Sequence, residues 1–535
     1  MNLAAIALAG SMLIGCGSSA STDTTASDTA VTSDTEAGSA AEETSAASDK
    51  YTTVSSSMDN EVSWLAADKV TGLDMYLASN NAHKVDTLWA DFLFASDHEG
   101  TYSPYLATDW TWSDDYLTLD VTLRDDVYFT NGEKLTASDV AFTYQRILTD
   151  ENLTNYRYRD NLTEAVAIDD THVQFRFFKA MPSFISESTR TAIICQSAYE
   201  ANPDTYFDKP IGSGAYTVES FDPSTGDLTF KRNDDWWGWG VLGEKSNVEI
   251  FHYSAVADST TRVSSLRSGQ YDAVEDVTLD MIDTLYEEGF NVETYYQQRH
   301  FFMAVNCKGV MADPDIREAF SLCIDRELIV ETIVGDGHVC DWVRPAMYLD
   351  YYDDGEGYPY DPDKAAELLA NSSYNGEEIE LLLGDSVMAR GSEVLQAIQA
   401  MAQAVGFNIN CQILENTTVV QRRFSGDYDL AFAGMTGTNG ENLNEVLELY
   451  GSTDKFNTGY VDETQFAMIE AAAQIVDDEE RKEALIEAEK LVKDSNAYIF
   501  LYEPLIACGV NPRVSNLGLY SDAYMDFRFM QVMEE

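Results

Sequence analysis

The stretch LTLDVTLRDDVYFTNGEKLTASDV, residues 117–140, contains three kinds of local structural signal in a fixed order. Residues 117–123 alternate apolar and polar side chains, and this period of two predicts a strand with one buried face. The Asn-Gly pair at 131–132 is a turn signal. Thr136, followed three residues later by Asp139, resembles a capping box ahead of an apolar-periodic run. The stretch therefore predicts a strand, a turn and a helix.

The same alternation of strand and helix patterns continues through the rest of the chain, with no internal repeat. The last clear strand, 428–433, leads into a polar loop at 434–440. Predicted strands lie at 215–232 (a pair), within 269–274, and at 301–306, 379–383, 407–414 and 428–433, and predicted helices lie at 260–268, 315–334, 363–369, 392–405, 466–476 and 485–492. The fold class is therefore α/β.

The N terminus carries the signature of an exported lipoprotein. Residues 1–15 are uncharged, apolar and too short to span a bilayer, so they predict an export signal. Cys16 follows Leu-Ile-Gly, where a lipoprotein would be cut and lipidated. Residues 16–50 are mostly small and acidic, which predicts a disordered linker between lipid and body. The first basic residue is Lys50, although signals normally begin basic, so either the start codon lies upstream or the export interpretation is weaker.

Length, composition and charge restrict the classes of function. The body is long enough for roughly three domains, and 45% hydrophobic with 12% aromatic residues is a globular composition. The net charge of −59 repels phosphate backbones and anionic lipid headgroups. We therefore expect no nucleic-acid binding, and membrane attachment through the lipid anchor only.

Metal-binding and catalytic motifs are missing from the sequence. The six cysteines after Cys16 form no CxxC pair and several lie in apolar runs, which favours buried free thiols over disulfides. The six histidines show no i, i+4 pairing and no HExxH, so we expect no metal site and no cofactor. Walker A, dinucleotide and GxSxG motifs are absent, and spacing cannot select a glycosidase pair among 92 acidic residues. We therefore expect a binding protein, not an enzyme.

Ordered motifs over residues 60–535 resemble the solute-binding proteins of ABC importers, family 5, which includes oligopeptide-, dipeptide- and nickel-binding proteins. The densest block lies within 106–148, where the order LR-x-x-V-x-F-x-x-G-x-x-LTA-x-DV is present. Further matches follow in the family's order at 211–216, 232–233, 236–238, 268–272, 306, 315–319, 324–326, 361–369, 426–430, 457–460 and 497–502.

The resemblance implies the two-lobe periplasmic-binding-protein fold of the large type II, three-domain kind, with a hinge between the lobes. It implies a ligand buried between lobes and a closed monomer that docks on an ABC permease with its ATPase subunits. The implied domains are a discontinuous core of lobe one (51–88, 206–298 and 500–535), an inserted domain (89–205) and lobe two (299–499).

The chain departs from the family pattern after the strand at 428–433. Peptide-binding members continue Gly-Trp-x-x-Asp-Tyr, where the Trp lines the pocket and the Asp holds the peptide's α-ammonium, whereas residues 434–440 here are GMTGTNG. No carboxylate is available, and a buried ammonium without one costs several kcal/mol. The ligand is therefore either not a conventional peptide or has its amine held elsewhere. The loop supplies four candidate ligand-binding residues, Met435, Thr436, Thr438 and Asn439.

Four more candidates come from elsewhere in the resemblance: Trp89, Asn306, Asn457 and Tyr460. Trp89 is either a pocket residue or a core residue, and the two asparagines either bind ligand or bond backbone. The aromatic cluster at 236–239 is either a sugar-stacking platform or packing. Peptides are the leading ligand class by resemblance, with an oligosaccharide or glycoside as the alternative. A sensory or adhesive lipoprotein without a permease is a third hypothesis.

Overall fold

The computed structural model describes residues 60–77, 81–98, 101–153, 157–346, 352, 355–436, 443–451, 456–520 and 524–533. The predicted signal, Cys16 and the linker lie outside these residues. Thr438 and Asn439 also lie outside them.

Within the described ranges, the strands form one large mixed sheet and three smaller sheets. The large sheet has 12 strands in the order β16-β15-β17-β13-β18-β11-β1-β10-β9-β8, and β12 and β14 also pair with β18. The strands are β1 Glu61–Ala66, β2 Phe94–Ser96, β3 Tyr102–Pro104, β4 Ala107–Trp112, β5 Thr118–Leu123, β6 Leu162–Ala167, β7 His172–Phe177, β8 Tyr216–Asp222, β9 Asp227–Arg232, β10 Ile250–Ala255, β11 Ala273–Val274, β12 Asn291–Tyr296, β13 Arg299–Val305, β14 Gly337–Val339, β15 Glu378–Gly384, β16 Asn408–Leu414, β17 Leu430–Thr436, β18 Tyr498–Val510, β19 Val514–Ser515 and β20 Gln531–Val532.

Helices cover both faces of the parallel parts of this sheet, as α/β folds require. The helices are α1 Asp86–Trp89, α2 Ala137–Thr149, α3 Phe184–Ser188, α4 Gln196–Ala201, α5 Ser259–Arg267, α6 Ile282–Glu287, α7 Pro314–Leu322, α8 Arg326–Ile329, α9 Pro362–Asn371, α10 Gly391–Val405, α11 Asn416–Ser425, α12 Leu443–Tyr450, α13 Glu463–Ala472 and α14 Asp478–Ser495. Among the described residues, no helix combines the length and apolar character needed to cross a membrane.

The opening stretch folds as its pattern predicts. Strand β5 alternates buried and less buried residues, and it pairs with β4 and β7. At the start of α2, the Thr136 backbone N–H donates to the Asp139 carboxylate over 2.9 Å, which is half of the predicted capping box. These elements form a separate four-stranded antiparallel sheet, β4-β5-β7-β6, with α2 against β6 and β7. This sheet lies within the predicted inserted domain.

Two lobes share strand β18, and each has its own hydrophobic core. Among the described residues, buried side chains between residues 62 and 292 form two clusters with those from 507 onward, and those from 301 to 502 form two other clusters. We call the first group lobe one and the second lobe two. Because the cores are separate, the lobes are able to move as two bodies.

The chain crosses between the lobes at two neighbouring places. The first crossing is the short link between β12 and β13, at residues 297–298. The second lies inside β18, which pairs with β13 and β14 as far as Pro504 and with β12 from Leu505 onward. The predicted boundary at 499/500 therefore falls inside the lobe-two half of β18. A continuous strand has no turn signal, so nothing in the local sequence marks the crossing.

Two predicted elements have different bounds in the structure. The predicted helix 315–334 is wrong as a single helix, because α7 ends at Leu322 and Asp325 starts α8 by accepting a hydrogen bond from the Leu328 N–H at 2.9 Å. A π-helical turn, Val330–Val334, follows. The predicted strand 428–433 runs instead as β17 to Thr436, because it pairs with β13 to that residue. Residues 434–436 therefore belong to a strand and not to a loop.

Candidate functional site

The carboxyl ends of parallel strands from both lobes border the crossing. In lobe one, β1 is parallel to β10 and β11, and in lobe two β15 is parallel to β16 and β17. The residues just past these ends are more exposed than the strands: Asp68 after β1, Asp276 after β11, and Thr436 closing β17. In open α/β sheets, ligands bind outside the carboxyl ends of the strands. This edge is therefore the candidate ligand site.

Arg299 opens β13 immediately after the first crossing and is the charged group at the centre of the site. Its register partner on β17 is Thr436, so both side chains lie on one face of the sheet. The guanidinium carbon lies 5.0 Å from the centre of the Phe301 ring on the same face. The Nε atom is fully buried and has no hydrogen-bond partner.

Gly434 provides the space that the Arg299 guanidinium occupies. A Cβ atom on Gly434 would lie 2.8 Å from both Nε and one Nη of Arg299 and 3.0 Å from the Phe301 ring. These distances are too short for non-bonded atoms, so a side chain here would displace the guanidinium. A glycine at this position is thus a steric requirement of the site.

Electrostatics link Arg299 to lobe one. Burial lowers the pKa of Arg299, and the charges of Asp68, Asp276 and Tyr502 act in the opposite direction. Tyr502 belongs to the neighbouring strand β18, but the two aspartates follow lobe-one strands. The Arg299 guanidinium therefore experiences the field of carboxylates on the opposite lobe.

The cations nearest to those aspartates are engaged with other groups. Lys84 lies 3.0 Å from a carboxylate oxygen of buried Glu275 and 3.5 Å from Asp68. Arg262 donates to four backbone carbonyls, and its distance to the Asp276 carboxylate is 3.6 Å. The side chains of Asp68 and Asp276 remain 68% and 46% exposed. Two solvent-accessible carboxylates thus face the cleft from lobe one.

The predicted candidates on β17 divide between the two faces of the sheet. Thr436 lies on the Arg299 face, opposite Arg299 itself. Met435 is paired with His300 and lies on the other face, half-buried against the core cluster that contains Phe302. Of the two, Thr436 is the one beside the charged site.

Asn306, Asn457 and Tyr460 lie at the opposite end of β13, about 20 Å from Arg299 by strand geometry. The Asn306 amide donates to the carbonyls of Gly426 and Tyr428 at 3.0 and 2.7 Å. Asn457 donates to the Phe424 carbonyl at 3.2 Å, and Tyr460 packs against lobe-two core residues. The two asparagines thus secure the turn after α11, which favours the structural alternative, and their role as ligand residues stays a prediction.

Trp89 and the aromatic cluster at 236–239 are structural in lobe one. Trp89 is 1% exposed within the core, and the backbone of Gly212 and Gly214 packs directly on it. This placement favours the core alternative for Trp89, and its role as a pocket residue stays a prediction. The indoles of Trp236 and Trp237 both donate to the carboxylate of buried Asp91, at 3.1 and 2.8 Å. Indoles held in this way do not form a sugar-stacking platform.

A cavity of about 430 Å³ lies between the predicted inserted domain and lobe two. It is lined by Phe178 and Lys179 on one side and by Leu443, Leu447 and Gln474 on the other. Further along the boundary, an Arg390 Nη lies 3.6 Å from the Asp280 carboxylate of lobe one. The lobes thus contact each other at several places around the cleft.

Arg299 is the functional candidate that sequence reasoning missed. A cationic residue at the start of an otherwise apolar strand, next to a crossing between the lobes, could have indicated a ligand site. None of the motifs that match the family contains Arg299, however. Among the described residues, no group of three His, Cys, Asp or Glu side chains could hold a metal ion. The six described cysteines are free thiols, four of them buried.

Two lobes with separate cores, joined at neighbouring crossings and opposed across strand ends, define a solute-binding protein of the two-lobe type. The family model described as "Bacterial extracellular solute-binding proteins, family 5 Middle" matches residues 101–457. The chain belongs to this family. Its members are extracytoplasmic binding receptors that serve ABC importers, not enzymes.

Relatives within this family bind different solutes. The chain is 24% identical to the heme-binding protein A of Haemophilus influenzae, over 77% of this chain and 80% of that protein. It is 24% identical to a dipeptide-binding protein of Pseudomonas aeruginosa, over 75% and 82% of the two chains. The crystal structure of NikA from Brucella suis in complex with Fe(III)-EDTA superposes with a TM-score of 0.80 at 20% identity, covering 89% and 100% of the chains. That likeness shows the fold alone.

Proposed function

We propose that this protein is the lipid-anchored receptor of an ABC importer that captures a peptide-like solute between its lobes and delivers it to a membrane permease. The observation that carries the proposal is the meeting of strand ends from both lobes around Arg299. A ligand bound there contacts both lobes, so it stabilises the closed form more than the open form. The closed form is then the species that docks on the permease.

The peptide class is supported by the dipeptide-binding relative and by the family as a whole. A neutral oligosaccharide is the second candidate, because Thr436 lies beside Arg299 and the predicted loop adds the hydroxyl of Thr438 and the amide of Asn439. These groups bind hydroxyls without requiring a charge on the ligand.

A thermal-shift screen of the purified chain distinguishes the two classes. A ligand at about 100 times its Kd adds roughly 2.7 kcal/mol to the free energy of unfolding. We expect stabilisation by short peptides and none by neutral oligosaccharides such as maltotriose. Stabilisation by maltotriose alone would contradict the peptide class and favour the second candidate.

The anchor and the permease need separate tests. In cells, Cys16→Ser should move the protein from the membrane fraction to the soluble fraction, because the thiol that carries the lipid is lost. Deletion of the gene should abolish uptake of the labelled peptide. Unchanged uptake would contradict the transport role and favour a sensory receptor.

A further inference from the structure

Arg299 is a partly buried cation that the folded protein leaves without an ion pair among its described residues. Its Nε atom has no hydrogen-bond partner, and the Nε atom of buried Arg423 has none either, but the Arg423 guanidinium still donates to the Phe432 carbonyl at 3.2 Å. Arg262 and Arg317 each direct their guanidinium to backbone carbonyls at 2.7–3.0 Å. An unpaired, desolvated charge is destabilising by itself. Such a group persists where function requires it.

Lobe one presents the opposite charge across the cleft. Asp68 and Asp276 are the exposed carboxylates whose field reaches Arg299. Asp276 also has a left-handed backbone, with φ at 50°, a conformation that non-glycine residues adopt rarely and often at functional sites. Among the described residues, the site thus has a cation without an ion pair on lobe two, Arg299, and two partly exposed carboxylates on lobe one, Asp68 and Asp276.

We propose that the cleft binds a zwitterion, with its carboxylate on Arg299 of lobe two and its ammonium on Asp68 and Asp276 of lobe one. This inference rests on the proposed function and names the charge pattern of its ligand. It places the ammonium on the opposite lobe from the family pattern, in which an aspartate of the loop after β17 holds that group.

The charge arrangement explains why residues 434–440 can do without a carboxylate. Arg299 lies against Gly434, at the start of that segment, so an ammonium held there would meet a guanidinium. In the reversed orientation, the ligand carboxylate meets Arg299 and the ligand ammonium meets Asp68 and Asp276, so each charge has an opposite charge beside it. A neutral sugar in the closed cleft would instead leave Arg299 desolvated without a partner, which disfavours closure.

Calorimetry on the full chain tests the charge pattern with alanine peptides of two to five residues. Each peptide is compared with its C-terminal amide, which lacks the carboxylate, and with its N-acetyl form, which lacks the ammonium. We expect each blocked form of the best-binding peptide to bind about 10- to 150-fold more weakly, the range for a lost hydrogen bond to a charged group.

The variants assign each charge to a lobe. Arg299→Gln should abolish the preference for the free peptide over its C-terminal amide and retain the preference for the free peptide over its N-acetyl form. The double variant Asp68→Asn, Asp276→Asn should abolish the preference over the N-acetyl form and retain the preference over the amide. Lys364→Gln, which removes a cation from an exposed surface pair with Glu318 at 2.7 Å, is the matched control and should change neither ratio. Because the readout is a ratio between ligands, partial unfolding of a variant does not mimic it.

Two further outcomes are distinguishable. Tight binding of free peptides with both ratios unchanged in Arg299→Gln would overturn the inference and leave the proposed function in place. Binding of maltotriose and of no peptide would overturn the peptide class, and the inference with it.

Discussion

The two ends of strand β13 differ in the hydrogen bonding of their polar side chains. At its carboxyl end, Asn306 donates two short hydrogen bonds to backbone carbonyls and secures the turn after α11. At its amino end, Arg299 has a buried Nε atom without a partner. The Asn306 Oδ1 atom is also buried without a hydrogen-bond partner, but it is neutral, whereas the unpartnered group at the Arg299 end is charged. The amide hydrogen bonds of Asn306 to the backbone help to specify the fold, and the charge of Arg299 without an ion pair marks the place that we propose for a ligand.

The largest effect is expected at the Asn306 end of β13. Asn306→Ala removes the donor to Gly426 and Tyr428 and leaves two carbonyls in a buried position unpaired. We expect the free energy of unfolding to fall by about 2–3 kcal/mol, measured by urea denaturation.

Asn371→Ala is the control, because this exposed amide bonds only within its own helix, to the Glu367 carbonyl. It should change stability by less than about 0.5 kcal/mol. Peptide affinity of the folded Asn306 variant should stay near wild type. A large loss of affinity with little loss of stability would contradict the structural role of Asn306.

The next effect is an increase in the free energy of unfolding, expected at the Arg299 end of β13. Arg299→Met replaces the unpaired cation with an apolar side chain, and we expect the free energy of unfolding to rise by about 1 kcal/mol. Burial lowers the pKa of Arg299, so the charged form is the destabilised one, and at neutral pH the charge is fully present. Urea denaturation of the unliganded protein measures the change, and a marked destabilisation would contradict the contrast between the two ends.

A smaller effect tests the space that Gly434 provides. In Gly434→Ala the new Cβ would lie 2.8 Å from the guanidinium, so the flexible end of Arg299 must move. We expect the preference for a free peptide over its amide to fall by about 3- to 10-fold, with stability nearly unchanged. In the Arg299→Gln background the same change should have no further effect, because the two sites interact only through the guanidinium. If Gly434→Ala lowered the preference further in the Arg299→Gln background, Gly434 would act on binding independently of the guanidinium.

The smallest effect is a pH dependence of peptide affinity that arises from Asp276 in the cleft. Burial raises the pKa of Asp276 above its ordinary value, with contributions from Glu275 and Asp68, and Arg262 and Lys84 oppose the rise. A raised carboxylate pKa means that ionised Asp276 is destabilising at neutral pH, and that protonation begins at a higher pH than in the unfolded chain. We therefore expect affinity for free peptides to fall several-fold between pH 7 and pH 4. Asp276→Asn should flatten this profile, and equal profiles would exclude Asp276 from the site.

Most of the fold was predictable because its signals are local. The capping residues of α2 and the alternation in β5 are written in consecutive residues. The break after α7 was not predictable, since its apolar period continues across the break and only Asp325 as a new cap ends it. The extra residues of β17 depend on pairing with β13, which is a tertiary contact.

The site was harder to predict than the fold. Loss of the loop carboxylate was visible in the sequence, and Thr436 lies where its chemistry can act. The compensating cation was not visible, because Arg299 meets Gly434 only through strand pairing across more than 130 residues of chain. Asn306 and Asn457 match the family's motifs, but a match does not distinguish a ligand contact from a turn that every member needs.

The continuous strand β18 has a consequence for biosynthesis. It lies in the middle of the large sheet, between β13 of lobe two and β11 of lobe one, and it spans residues 498–510 near the end of a 535-residue chain. Neither lobe completes its sheet until this strand has been translated. A nascent chain therefore stays unfinished in both lobes until residues 498–510 have been translated, and a frameshift shortly before Tyr498 removes a central strand from both lobes at once.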